Sequence, residues 1–97
     1  MVKMSANSYV DWADPYLMRM STAFLQYINS KGIKTLRVDA FTIHRILRVG
    51  QSTSYYMLKV WKDYGLPRDL TLDQAKDLVA QLKQQNANAR VTYRKPL

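Results

Sequence analysis

Two short amphipathic stretches, separated only by Val49-Gly50, dominate the centre of this chain. The first opens on Asp39, a residue type that caps helix N-termini by accepting backbone N–H groups. It carries Ala40, Ile43, Ile46 and Leu47 on one side. The second runs from Gln51 to about Tyr64 and stops at Gly65, the residue type that ends a helix most readily. Ser54, Met57, Leu58 and Trp61 recur on one face of it, and Gln51, Ser52, Tyr55, Tyr56, Lys59 and Lys62 occupy the other. Helices joined by so tight a break must cross each other. Their apolar faces therefore share one core, and the polar face is left outside.

The flanking residues supply the rest of that core. Residues 1–13 read as an irregular arm anchored by Tyr9 and Trp12. Asp14-Pro15 is a helix start, with Asp as cap and Pro at the first helical position. Leu17, Met20, Phe24, Tyr27 and Ile28 then follow at helical spacing as far as Gly32. This helix is apolar on more than one face, which suits a central core helix that also serves a dimer contact. Residues 33–38 read as a short strand with Leu36 and Val38 on one side and Thr35 and Arg37 on the other. Residues 66–70 read as a connector. Thr71-Leu72-Asp73-Gln74 is a capping box that opens a last helix along Leu72, Ala75, Leu78, Val79 and Leu82. Polar residues 84–89 then fray, and residues 90–94 alternate like a strand before Pro96. The expectation is one domain over residues 1–97, mainly α with a small β component.

Charge gives this outline a direction. The 97 residues hold fifteen Lys and Arg against seven acids, all of them Asp, for a net charge of +8. Residues 31–68 carry Lys31, Lys34, Arg37, Arg45, Arg48, Lys59, Lys62 and Arg68 against Asp39 and Asp63, and the last eight residues add Arg90, Arg94 and Lys95. The first thirty residues are neutral, and residues 69–89 are slightly acidic. An excess so placed points to a polyanion, because neutralising phosphates releases condensed counterions. The plainer reading is a solvated basic surface.

The outer face of the Gln51 helix fits the first reading. Gln51 is the residue type that reads adenine through two hydrogen bonds, while Ser52 and Thr53 bond bases or phosphates. Tyr55 and Tyr56 can meet a thymine methyl or donate to phosphate, although paired Tyr on a helix are also common packing residues. Lys59 and Lys62, with Arg45, Arg48 and Arg37 beside them, suit the phosphate backbone, which sets register and affinity rather than sequence choice.

The whole stretch from Ile46 to Leu66 resembles the winged helix-turn-helix family of DNA-binding proteins. The matching features are the apolar-polar turn at Val49, the Ser52-Thr53 start of the second helix, Trp61 four places before Gly65-Leu66, and the strand ahead of Asp39. The sequence departs from the family in three places. His44 replaces a small residue, Arg48 stands at the common turn Gly, and the Thr71 helix interrupts the wing, leaving Arg90 to Arg94 as wing strand and Lys95 as tail. The resemblance implies a homodimer that binds double-stranded DNA as a transcriptional regulator, or a plasmid-partition or DNA-coating protein on the same fold.

Other functions find less support. Without Cys there is no disulfide framework, thiolate metal site or thiol nucleophile. One His builds no typical zinc site, so a structural or phosphate-facing role suits His44. Asp14, Asp39 and Asp73 sit at helix starts, where capping accounts for them. No Gly-rich phosphate loop or Ser-His-Asp set is visible, so neither an enzyme nor a cofactor is expected. Apolar runs are far short of a membrane span and no signal peptide is visible, consistent with a cytoplasmic, nucleoid-associated protein. The rival from another class is a protein-interaction module docking an unknown partner through its Tyr-rich helix.

Overall fold

Asp14 and Pro15 begin the first helix as their chemistry dictates. The Asp14 carboxylate accepts the backbone N–H groups of Tyr16 at 2.8 Å and Leu17 at 3.4 Å, and Pro15 sits where a missing N–H costs nothing. A computed structural model describes residues 10–94, with side chains as far as residue 86. In it α1 spans Pro15–Lys31 and closes on Gly32 in the left-handed region, φ 64°. Strand β1 (Thr35–Arg37) leads to α2 (Ala40–Leu47), and Arg48-Val49-Gly50 joins α2 to α3 (Gln51–Asp63). Strand β2 (Asp69–Thr71) then feeds α4 (Leu72–Arg94). The described residues are mainly helical, with one small antiparallel sheet. No helix among the described residues is long and apolar enough to cross a membrane.

The local signals act as their residue types require. Asp39 accepts the Thr42 N–H at 2.8 Å and caps α2. Thr71 and Gln74 exchange reciprocal bonds of 3.0 and 3.2 Å at the start of α4, satisfying two otherwise orphaned donors. After α3, Gly65 at φ 73° donates to the Lys62 carbonyl and Leu66 to that of Trp61. This is a Schellman ending whose following apolar residue, Leu66, is buried.

Two segments differ from the sequence expectation. Asp69 and Leu70, expected within a connector, and Thr71, expected only as a helix cap, pair with β1 in the register Thr35–Thr71, Leu36–Leu70 and Arg37–Asp69. The strand forms because Leu70 buries beside Leu36 and Arg37 meets both carboxylate oxygens of Asp69 at 3.0–3.1 Å. Residues 90–94, expected as a wing strand, are helical, as are the expected frayed residues 84–89. No Gly or Pro interrupts the chain between Leu72 and Arg94, so nothing stops the helix that the capping box starts. The short alternation over residues 90–94 has no strand partner to exploit. Val10 and Trp12 of the arm pack against the core, and the Trp12 carbonyl accepts a bond from Asn86 at 2.7 Å. Tyr9 and Lys95 lie outside the described residues.

Leu17, Met20, Phe24 and Ile28 of α1 meet Ile43, Met57 and Trp61 from the central pair and Leu78 and Leu82 from α4 in one core. Trp61 is fully buried, its ring edge-on to Phe24 with centroids 5.3 Å apart. Its Nε1–H donates to the Pro67 carbonyl at 2.7 Å. Tyr64 donates to Asp14 at 2.6 Å, tying the end of α3 to the cap of α1. Burial, and then that bond, push the Tyr64 phenol above its ordinary range.

The Asp39 cap makes stability sensitive to acid. Its hydrogen bond from the Thr42 backbone holds its carboxyl below the ordinary value, against a smaller opposing effect of burial. A carboxyl depressed in the folded state stabilises above its unfolded pKa of about 3.9, and that contribution is lost as pH falls through the folded value. Asp39→Asn keeps a capping oxygen that does not titrate. Urea titrations from pH 6 down to pH 2.5 should therefore show a shallower acid loss for Asp39→Asn than for the unaltered chain.

Candidate nucleic-acid interface

Helix α3 is divided as its sequence requires. Ser54, Met57, Val60 and Trp61 are buried, and Leu58 and Thr53 half-buried. Gln51, Ser52, Tyr55, Tyr56, Lys59 and Lys62 are all exposed. The buried Ser54 hydroxyl donates to the Gly50 carbonyl at 2.8 Å, one turn back. It therefore presents nothing polar to the core. Tyr56 keeps 52% of its surface open while its ring rests edge-on against Tyr16, 5.3 Å between centroids.

The turn before α3 carries a backbone outlier. Arg48 ends α2 at φ 58°, ψ 43°, a region where a residue with a Cβ is disfavoured by about 1–2 kcal/mol. His44 secures this turn: its Nδ1 donates to the Val49 carbonyl at 2.6 Å. That bond gives His44 a structural role at the turn. Strain of this kind gathers at functional sites, and the exposed Arg48 guanidinium has no carboxylate partner among the described residues. Arg48→Gly should raise stability by about 0.5–1 kcal/mol, since relief of the left-handed strain exceeds the added unfolded-state freedom. A lower urea midpoint would contradict the strain argument.

The cations suggested by the sequence do not all converge. Arg45 and Arg48 flank the start of α3, and Lys62 is exposed toward its end. Lys59 is held by Asp63 at 2.8 Å, one turn away on the same helix, which raises its pKa chiefly through that hydrogen bond. Arg37 lies in the sheet, committed to Asp69. Arg90 and Arg94 lie on α4, which packs on α1 and β2.

One exposed residue escaped the sequence reading. Phe41, on the first turn of α2, is 66% exposed, and the Arg45 guanidinium lies 5.7 Å from its ring centroid. Its signal was present: a large apolar residue off the Ala40–Ile43–Ile46–Leu47 face, four places before Arg45. No group of three or more His, Cys, Asp or Glu that could hold a metal occurs among the described residues. No family model, curated protein or solved structure matches the chain.

Proposed function

We propose that the chain binds double-stranded DNA as a helix-turn-helix protein, with the outer face of α3 in the major groove. The observation that carries this reading is the exposed, donor-rich face of α3 set in a segment without acids. From Ala40 to Lys62 the chain has four cations and no carboxylate, and Gln51, Ser52, Tyr55 and Lys62 stand exposed there. In this reading Gln51 meets an adenine edge, Ser52 and the tyrosines bond base or phosphate, and Arg45, Arg48 and Lys62 contact phosphate. Arg37, in the sheet, and Arg90 and Arg94, on α4, belong to its periphery.

A homodimer on half-sites about one helical turn apart follows the usual geometry of such modules. The outer face of α1 suits the dimer contact, since Met18 is 40% exposed there, in a shallow groove with Ala23 and Leu47. Transcriptional regulation by a nucleoid-bound protein is the role this reading favours, with partition-complex formation or DNA coating on the same interface as the alternative. Selection from a random duplex pool tests specificity and half-site spacing together. Retention of a duplex at about 50 mM salt, with a log–log salt slope near −0.9 per phosphate contact, is expected. No retention at that salt would overturn the proposal. The exposed Phe41, Tyr55 and Tyr56 favour a second reading, docking of a protein partner, for which no steep salt slope on DNA is expected.

A further inference from the structure

Phe41 of α2 and Tyr55 of α3, 66% and 65% exposed, face a small cleft completed by Ala40, His44, Gln51 and Ser54. Leaving two large aromatic side chains open costs hydrophobic free energy. Neither residue is needed to complete the core. The cleft volume is ≈ 100 Å³, far below the roughly 300–1,000 Å³ of sites that enclose a small molecule. It is a few times the roughly 30 Å³ that one water molecule takes up in the liquid, which is room for a methyl group and its surroundings. The one side-chain amide on its wall belongs to Gln51, and the Arg45 guanidinium lies 5.7 Å from the centroid of the Phe41 ring. None of the residues lining the cleft is an acid; the adjoining Asp39 is engaged as the cap of α2.

We infer that this cleft receives the C5-methyl group of a thymine in the major groove, making Phe41 a specificity-determining residue. The inference rests on the DNA reading above and deepens it. Thymine is the base that places an apolar group in that groove, and its partner adenine presents N6 and N7 beside it. A methyl between Phe41 and Tyr55 brings those atoms toward the Gln51 amide. One cleft then recognises both halves of a T·A pair, with an apolar wall for the methyl and a donor–acceptor amide for the adenine. Arg45, drawn over the Phe41 ring, is held where the adjoining phosphate passes.

The test uses the unaltered protein and a duplex recovered by selection, with each thymine replaced in turn by deoxyuridine, which lacks only the methyl. One position per half-site should lose about fourfold in affinity, the worth of one buried methyl-sized group. The Phe41→Ala protein should bind the thymine duplex about fourfold more weakly and no longer distinguish it from the deoxyuridine duplex at that position. Phe41→Leu should retain the distinction. Retention of the duplex with no position sensitive to the methyl overturns the inference while leaving DNA binding intact. So does a sensitivity that persists undiminished in Phe41→Ala. Failure to retain any duplex at about 50 mM salt instead overturns the DNA reading itself, and this inference with it.

Discussion

Trp61→Ala should lower the stability of the chain by about 3–5 kcal/mol, the usual cost of emptying a buried aromatic site. Trp61 is fully buried and lies edge-on to Phe24, so truncation leaves a cavity between α1 and α3. It also removes the donor to the Pro67 carbonyl, in the segment that returns the chain from α3 to β2. Against a total stability of roughly 5–15 kcal/mol for a domain, this is a large share. With a urea slope of about 2 kcal/mol per molar, the midpoint should fall by roughly 2 M. Trp61→Phe keeps an aromatic edge for Phe24 but orphans the carbonyl, and should cost about 1–3 kcal/mol. A midpoint for Trp61→Ala within about 0.5 M of the unaltered chain would show that the core is organised around some other residue.

The second large effect concerns affinity. Replacing Arg45, Arg48 and Lys62 together by Ala should weaken duplex binding on the order of 100-fold, at about 1 kcal/mol for each lost, solvent-screened ion contact. The log–log salt slope should become shallower by about 0.9 for each phosphate contact removed. All three side chains are exposed, so the helical circular dichroism should be unchanged. Lys59→Ala is the internal control: its ammonium already bonds Asp63, and its removal should weaken binding less than Lys62→Ala. Gln51→Ala should act differently, relaxing base preference at one position by about 1–3 kcal/mol while leaving the slope as it was. A triple variant with an unaltered slope would remove these cations from the interface.

Much of the fold was legible because its signals are local. Asp14 and Asp39 cap through N–H groups two or three residues ahead, Thr71 and Gln74 bond each other across one turn, and Gly32 and Gly65 end their helices. The division of α3 into a buried and an exposed face follows from its 3.6-residue period alone. The Lys59–Asp63 pair is equally local, at the spacing that lets helix side chains meet. Strand β2 was not legible. Asp69-Leu70-Thr71 has no strand signature of its own and is extended only because β1, more than thirty residues earlier, offers its edge.

The candidate site divides along the same line. The residue types of α3 and the absence of carboxylates from Ala40 to Lys62 are properties of the sequence. Helix period alone fixes which of those residues point outward. Tertiary structure decided the rest. It committed Arg37 to Asp69 and set Phe41 against Tyr55 around a cleft. Hydrogen bonds over two to four residues form wherever the chain is helical and can be read from spacing. Contacts between α2 and α3, or between β1 and β2, depend on the angle at which whole elements pack, and a core of interlocking side chains sets that angle only once all of them are in place.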